Sequence, residues 1–308
     1  MNRPAHFFPL HHLASITISL LALITAATGD GLYGQDVSST TPAAKITPDL
    51  VYGHKDGLAL TMDLYEPDGT PNGAGVLFMV SGGWYSVWAP PEKTRPMLEP
   101  FLKEGFKVIA VRHGSSPRYT IPEAVHDVQQ AVRFVRRNAE RFGVDAERLG
   151  VFGMSAGGHL SLMLGTTGDD GTADAPDDSL EKIPSRVAAV VAFVPPTDLR
   201  VAVWEAPESL PAYRNFPALN LEMQKAEQNS PLVHVTPDDA PALVVMGGDD
   251  QLVPPRHGEW IDKAFHEQKV TSKLIIVPHA GHNLGSVQDQ QQAFAEAVAW
   301  FKTYLARR

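Results

Sequence analysis

Apolar positions near the start of the folded part of the chain follow a period of two. Residues 51–54 and 58–65 each fit a strand, and the second strand places Leu58, Leu60, Met62 and Leu64 on one face. This alternation is typical of half-buried antiparallel strands. Asp56-Gly57 lies between them and predicts a tight hairpin turn.

Farther along, the apolar runs are continuous, which indicates strands that are covered on both faces. They occupy residues 75–80, 106–111, 149–153, 187–194, 242–246 and 274–277. Helical periodicity separates most of them. The clearest helices span residues 121–142, where Thr120 and Glu123 form a capping box, and residues 288–306. This alternation predicts an α/β fold with a doubly wound, mostly parallel sheet, antiparallel strands at its N-terminal end, and a ligand site at the carboxyl ends of the strands.

The first part of the chain has a different composition. Residues 13–27 are almost wholly apolar, which predicts a secretory signal peptide over about residues 1–34, with an uncleaved anchor as the alternative. A Ser-, Thr-, Pro- and Ala-rich linker is expected over 35–48 and one folded domain over 49–308. We therefore expect a secreted or periplasmic protein without stable membrane insertion after cleavage. The chain has no cysteine, so neither disulfides nor a lipoprotein anchor is expected.

One segment interrupts the alternation of strands and helices. Residues 168–184 are rich in Gly and Asp, and residues 198–235 hold aromatic residues and prolines without periodicity. We interpret about 168–235 as a small cap insertion that covers the strand ends. A surface elaboration that does not contact substrate is the alternative.

Charge narrows the range of partners. The formal net charge of the 308 residues is −9, with 44% apolar and 20% charged residues, as in ordinary soluble domains. A negative chain without a basic cluster or a phosphate loop is not expected to bind nucleic acid. The pattern specifies no oligomeric state.

The strongest chemical signal is the turn around Ser155. Residues 149–153 form an apolar strand, and Gly153, Ser155 and Gly157 give the spacing G-x-S-x-G before a helix. The glycines let the strand and helix pass closely, and the turn exposes the serine hydroxyl beside the helix N-terminus. A glycine-rich turn with an incidental serine is the alternative. A nucleophilic serine also needs a general base, an acid that orients the base, and N–H donors for the oxyanion, and these must come from other parts of the chain.

An acid is expected after a later strand, because a serine on a G-x-S-x-G turn is followed along the chain first by its acid and then by its histidine. The strand at 242–246 is followed by Asp249 and Asp250. We favour Asp250, and Asp249 is the alternative. Asp198 follows the preceding strand and is a more distant candidate, better explained as a helix N-cap.

The general base is expected after the strand at 274–277. His282 follows Gly281, which lets it turn toward the serine, whereas His279 lies nearer the strand. His159 lies one helical turn after Ser155 and is expected to pack behind the turn. We therefore favour His282 as the base.

Donors for a developing oxyanion are expected after the strand at 75–80, where Ser81-Gly82-Gly83-Trp84 stands. Paired glycines let backbone N–H groups approach a ligand. Gly83, with Gly82 or Trp84, and Ala156 from the serine turn are the candidate oxyanion hole. No residue spacing suggests a metal site.

Together these motifs resemble the α/β-hydrolases, and more narrowly the carboxylesterases of the hormone-sensitive-lipase and bacterial feruloyl-esterase-like branch. The matching segments are residues 81–84, 127–145, 153–160, 195–199, 229–231, 247–254 and 281–282. The resemblance implies a catalytic triad of Ser155, Asp250 and His282 and no cofactor. That branch usually has His-Gly-Gly-Gly before the tryptophan, where this chain has Val80-Ser81-Gly82-Gly83.

The sequence therefore predicts an exported serine hydrolase that cleaves a carboxylic ester through an acyl-enzyme. The substrate is expected to be a small-molecule or saccharide-linked ester. Trp84 and Trp204, with Trp88 and Tyr213, are candidate pocket residues, and buried core aromatics are the alternative. A serine peptidase of the prolyl-oligopeptidase type and a non-catalytic binding protein on the same fold are the other hypotheses.

Overall fold

The computed structural model describes residues 45–204 and 216–307, and the predicted signal peptide, most of the predicted linker and Tyr213 lie outside these ranges. The described residues all lie in one compact unit. Its strands are β1 (Ile46–Lys55), β2 (Leu58–Tyr65), β3 (Gly75–Val80), β4 (Lys107–Arg112), β5 (Leu149–Met154), β6 (Ala189–Phe193), β7 (Ala242–Gly247) and β8 (Ser272–Val277).

These strands form one eight-stranded sheet in the order β1-β2-β4-β3-β5-β6-β7-β8. β2 pairs antiparallel with β1 and with β4, whereas the neighbours from β4 and β3 to β8 are all parallel. The predicted fold class, a mostly parallel sheet with antiparallel N-terminal strands, is confirmed. In such a sheet the loops that follow the parallel strands meet at one edge.

The hairpin that joins β1 to β2 has the predicted turn. Asp56 and Gly57 have φ values of 49° and 77°, the left-handed pair that matches the twist of a two-residue hairpin. β1 begins earlier than its alternation indicated, because Ile46 already pairs with Tyr65. Residues 46–48 therefore belong to the sheet and not to a linker.

The helices predicted over 121–142, over 288–306 and after Ser155 are present, and the structure describes further α-helices between the strands. In chain order, the described α-helices are α1 (Pro91–Lys103), α2 (Ile121–Arg137), α3 (Ala139–Phe142), α4 (Ala156–Thr167), α5 (Leu199–Trp204), α6 (Met223–Gln228), α7 (Arg256–Glu267) and α8 (Val287–Tyr304). The helix predicted over 121–142 is interrupted at Asn138, whose side-chain amide donates to the Phe134 carbonyl at 2.8 Å. The Asn138 backbone N–H also donates to this carbonyl, at 3.1 Å.

Two apolar cores cover the two faces of the sheet. Successive residues of one strand, such as Val151 and Phe152, point into different cores. One core packs against α2, α4 and α7, and the other packs against α1 and α8. Burial on both faces explains why the central strands are continuously apolar instead of alternating.

The predicted cap insertion divides into two parts with different positions. Residues 168–184 contact the last turns of α2, where Arg133 donates to the Ile183 carbonyl at 2.9 Å and Arg136 to the Pro184 carbonyl at 2.6 Å. Because α2 begins near the carboxyl end of β4 and runs back along the sheet, its last turns lie away from the strand ends. This part of the segment therefore does not cover them, which corrects the predicted extent of the cap.

No helix within residues 45–204 and 216–307 combines the length and the apolar character needed to cross a membrane.

Candidate active site

Ser155 lies at the turn between β5 and α4. Its backbone has φ 55° and ψ −121°, an unfavourable conformation for a residue with a Cβ. The Ser155 N–H donates to the Phe193 carbonyl at 2.8 Å, which fixes the turn against β6. A Cβ on Gly153 would overlap the Gly157 carbonyl, and a Cβ on Gly157 would overlap the Met79 carbonyl. The glycines of the motif are therefore required by close backbone approach.

Gly157→Ala is expected to lower the free energy of unfolding by more than about 2 kcal/mol, because the new methyl group meets backbone that cannot move aside. Urea unfolding checks this result. Gly69→Ala is the matched control, since no atom lies within 4 Å of a Cβ added there. Equal stability of the two variants would contradict the role assigned to close packing at the turn.

The acid and the base predicted from the sequence contact each other. His282 Nδ1 lies 2.7 Å from Asp250 Oδ2. The other carboxylate oxygen, Oδ1, accepts from the Leu252 N–H at 2.8 Å and the Val253 N–H at 2.9 Å. Asp250 is 1% exposed, so its orientation is fixed by these three bonds. Because a carboxylate oxygen accepts, Nδ1 carries the proton and Nε2 is free to accept one.

The alternative acids and bases lie elsewhere. Asp249 faces His279 at 3.5 Å, and both side chains are largely exposed. Asp198 pairs with Arg200 at 2.8 Å and also accepts from the Arg200 N–H at 3.0 Å, as an N-terminal residue of α5 does. Among the candidate acids, only Asp250 contacts His282 in the described structure.

Ser155 follows β5, Asp250 follows β7 and His282 follows β8, so all three lie at the carboxyl edge of the sheet. No hydrogen bond among the described residues joins Ser155 Oγ to the His282 ring. Catalytic hydrogen bonds often tighten only when substrate binds. The geometry thus joins His282 to Asp250 and brings Ser155 to the same edge of the sheet.

The loop of residues 81–86, here called the oxyanion loop, forms a tight turn after β3. Gly82 N–H donates to the Tyr85 carbonyl and Tyr85 N–H to the Gly82 carbonyl, each at 3.0 Å. Gly82 was one of the predicted oxyanion donors. Its N–H already has an acceptor, which corrects that prediction in favour of Gly83 and Trp84. In the described part of the chain, no backbone carbonyl accepts from either N–H.

Gly83 occupies a position that only glycine fits. Its φ is 57°, and an added Cβ would lie 2.5 Å from the ring of Phe216. Trp84 also has a φ of 57°. Because neither N–H donates to a backbone carbonyl in the described residues, both remain available to a ligand.

His159 joins the oxyanion loop to the serine turn and the segment after α6. Its Nδ1 accepts from the Trp84 indole N–H at 3.2 Å, and its Nε2–H donates to the Asn229 carbonyl at 2.7 Å. Burial lowers the pKa of His159 to about 4, so the ring is neutral and structural. This agrees with the prediction that His159 packs behind the turn.

Buried neutral histidines make stability depend on pH. Burial lowers the pKa of His159 and of His257 to about 4, from 6.5. Above pH 6.5 both folded and unfolded chains hold these rings neutral. As the pH falls from 6.5 toward 4, the unfolded chain binds protons that the folded chain does not, so stability is lost over this window. Over the whole window, each ring lowers the free energy of unfolding by about 3 kcal/mol.

Urea unfolding between pH 4.5 and pH 7.5 is therefore expected to show a steep loss of stability below pH 6.5. His257→Asn should flatten the profile, because Oδ1 of asparagine can accept the Thr197 N–H bond at 3.1 Å without titrating. His126→Asn, at an exposed histidine, should leave the profile unchanged. A profile of the same steepness in His257→Asn would rule out His257 as a source of the pH dependence.

A cavity of about 20 Å³ opens at Ser155. It is lined by Gly83, Trp84, Ser155, Pro196, Leu199, Ala202, Phe216, Leu219, Leu252 and Val253. Trp84 is buried there as predicted. Trp204 is 78% exposed and does not belong to the lining, which corrects its assignment to the pocket, and Trp88 is 56% exposed.

The apolar residues that shape this cavity were not predicted from the sequence. Leu199, Phe216 and Leu219 come from the segment between β6 and β7, where no regular periodicity marks an inward face. Their apolar character in a segment rich in prolines was the one available signal. The second part of the predicted cap, on both sides of residues 205–215, thus does contribute to the cavity.

Comparison with known proteins identifies the fold and its family. Residues 62–265 match the family model BD-FAE. The chain belongs to the BD-FAE family. This confirms the resemblance to the feruloyl-esterase-like branch of the α/β-hydrolases, and the BD-FAE match spans β2 to α7.

Relatives of this BD-FAE chain carry esterase names. It is 29% identical over 257 residues to the carboxylic ester hydrolase LipM of Mycobacterium tuberculosis, covering 80% of this chain and 59% of LipM. The chain thus spans less than two thirds of that relative. A truncated carbohydrate esterase from gut microbiota has a TM-score of 0.71 and 25% identity, with 85% of this chain and 96% of that chain covered.

A second solved structure supports the fold alone. The acetyl ester-xyloside bifunctional hydrolase of Caldicellulosiruptor lactoaceticus has a TM-score of 0.71 at 21% identity, with 86% of this chain and 98% of that chain covered.

Proposed function

We propose that this protein is a carboxylic ester hydrolase that acts through an acyl-enzyme with Ser155 as nucleophile. The observation that carries the proposal is the contact of the buried Asp250 with the partly buried His282, 2.7 Å apart, at the same sheet edge as a serine in a strained strand-to-helix turn. The match to the BD-FAE family, the esterase name of the relative LipM and the similarity to a carbohydrate esterase structure support this proposal.

In the proposed mechanism, His282 Nε2 takes the proton of Ser155 while Oγ attacks the ester carbonyl. Asp250 accepts from Nδ1–H and stabilises the imidazolium that forms. The backbone N–H groups of Gly83 or Trp84 and of Ala156 bind the tetrahedral oxyanion. His282 then protonates the leaving alcohol, and water repeats the sequence to release the acid and restore Ser155.

A fluorophosphonate probe tests this proposal, because it reacts only with an activated serine. The expected result is one labelled residue, Ser155, with hydrolysis of p-nitrophenyl acetate. Absence of labelling in folded protein would favour the non-catalytic binding hypothesis. Labelling with cleavage of aminoacyl amides but not of esters would favour the peptidase hypothesis.

The cavity sets an expectation for the acyl group. Its free volume of about 20 Å³ holds little more than one water molecule, and its lining is mostly apolar, so short acyl chains should fit best. We expect kcat/KM for p-nitrophenyl acetate or butyrate to exceed that for the octanoate by at least about tenfold, because a longer chain can enter only by displacing packed side chains, which costs about 1–3 kcal/mol.

Phe216→Ala should reduce this preference about fivefold or more, because the Phe216 ring occupies space beside Gly83 and its removal opens the cavity. Val233→Ala is the control, at a half-exposed residue that does not line the cavity. An unchanged ratio in Phe216→Ala would place the acyl chain elsewhere.

We also propose that the alcohol part of the substrate is saccharide-linked or a small molecule. The carbohydrate esterase neighbour supports the saccharide case. A screen of acetylated and feruloylated xylo-oligosaccharides beside simple alkyl esters separates the saccharide case from the small-molecule case. If the natural substrate is saccharide-linked, the xylo-oligosaccharide ester should have a lower KM than the alkyl ester of the same acid.

Export is a further proposal, supported by the apolar run at residues 13–27. Expression of the full chain in a bacterial host, followed by fractionation and N-terminal sequencing, tests it. A mature N-terminus between about residues 27 and 35 in the exported fraction is expected, and retention of Met1 in the cytoplasm would contradict it.

A further inference from the structure

His113 lies at the end of β4 and contacts the start of the oxyanion loop. The ring is 4% exposed. Its Nδ1 lies 2.8 Å from the Gly114 carbonyl, and its Nε2 lies 2.8 Å from Ser81 Oγ. Because a carbonyl can only accept, Nδ1 carries the proton, and Nε2 accepts from the Ser81 hydroxyl. The direction of this hydrogen bond is thereby fixed.

Further hydrogen bonds attach the oxyanion loop to the segment that follows β4. Ser86 Oγ donates to the Val80 carbonyl at 2.6 Å, and Ser86 N–H donates to Ser115 Oγ at 2.9 Å. Ser116 N–H donates to the Trp84 carbonyl at 3.0 Å. The carbonyl side of the Trp84 peptide is therefore held by Ser116. The start of the loop is held by Ser86 at the Val80 carbonyl and by the Ser81 side chain at His113.

His113 itself rests on a buried ion pair. Gly114 N–H donates to Asp127 Oδ2 at 2.9 Å, and Asp127 Oδ1 lies 2.6 Å from Lys55 Nζ. The Asp127 side chain is 1% exposed. This support prevents the backbone at Gly114, and with it the His113 ring, from shifting. Burial lowers the pKa of His113, which keeps the ring neutral and able to accept from Ser81.

We infer that His113 is a positioning residue for the proposed ester hydrolysis, acting through its hydrogen bond with Ser81 to set the direction of the N–H groups at Gly83 and Trp84. Oxyanion donors must lie about 2.7–3.1 Å from the position that the developing charge occupies. A loop released at Ser81 can still bind substrate but loses part of this alignment. The loss therefore falls on the transition state and not on the bound substrate.

This inference rests on the proposed function, and four variants test it. Ser81→Ala removes only the hydroxyl, Ser81→Thr keeps it, His113→Gln removes the ring, and the fourth variant combines Ser81→Ala with His113→Gln. We expect Ser81→Ala to lower kcat about tenfold with KM within about twofold, and Ser81→Thr to restore most of the loss. The double variant should have a kcat no lower than that of the less active single variant, because both substitutions remove the same hydrogen bond.

A second readout separates positioning from general damage to the fold. A boronic acid forms a tetrahedral adduct with an activated serine, so its affinity should fall in proportion to kcat across the series while thermal unfolding of Ser81→Ala stays at the wild-type value. His126→Gln, at an exposed histidine of α2, is the matched control and should leave both quantities unchanged.

The outcomes are distinct. If wild-type protein hydrolyses esters and Ser81→Ala matches it in kcat and in boronic acid affinity, the inference is wrong and the proposed function stands. A loss that appears in KM alone, or additive losses in the double variant, would also overturn the inference. Wild-type protein that is folded but inactive on esters would instead overturn the proposed function.

Discussion

Ser155→Ala is expected to lower kcat for ester hydrolysis by about 10⁴- to 10⁶-fold. The hydroxyl is the proposed nucleophile, and neither the Asp250–His282 pair nor the oxyanion loop can form an acyl-enzyme without it. The backbone cost of φ 55° is shared by serine and alanine, so the fold should not change. Steady-state kinetics measure the loss of activity, and intact-protein mass spectrometry after fluorophosphonate treatment measures the loss of labelling.

Ser179→Ala is the matched control for this variant, because Ser179 lies in the segment that contacts the last turns of α2. It should keep wild-type kcat. Retention of more than about a hundredth of the wild-type activity by Ser155→Ala, in protein free of wild-type contamination, would exclude Ser155 as the nucleophile.

Asp250→Asn is expected to lower kcat by about 10³- to 10⁴-fold. The asparagine oxygen can still accept from the Leu252 and Val253 N–H groups, so the loop should remain folded. Its amide nitrogen, however, would face His282 Nδ1 and donate to it. The proton of the ring would then move to Nε2, which could no longer take the Ser155 proton.

Asp249→Asn provides the control, with the same change of chemistry one residue away. The Asp249 side chain is 63% exposed and faces only the exposed His279, so kcat should stay within about twofold of wild type. If Asp249→Asn lost activity and Asp250→Asn kept it, the acid would be Asp249. Circular dichroism of both variants shows whether a loss of activity reflects unfolding.

Much of the fold follows from local patterns. The alternation over residues 58–65 matches β2 to the residue, and Asp56-Gly57 forms the turn that its composition predicts. Element boundaries were less predictable. The helix predicted over 121–142 divides at Asn138 into α2 and α3, and no spacing in the sequence marks this break.

The extent of the cap could not be derived from composition. Residues 168–184 and 199–219 both lack periodicity, yet the first segment contacts the end of α2, whereas Leu199, Phe216 and Leu219 contribute side chains to the cavity. Gly, Asp and Pro indicate that a segment is irregular, but they do not indicate where it packs.

The sequence alone determined the types of chemical group and their order: a glycine loop, a serine turn, an acid and a histidine, each after its own strand. This was possible because parallel strands bring their carboxyl ends to one edge. Only the tertiary structure showed that Asp250 and not Asp249 contacts His282, and that the N–H of Gly82 and not that of Trp84 has a backbone acceptor. Only the tertiary structure showed that His113 contacts Ser81. These choices depend on hydrogen bonds between residues distant in the chain, and neither spacing nor composition encodes their geometry. At Ser155 the turn alone fixed the position of the hydroxyl, and its partners had to come from the fold.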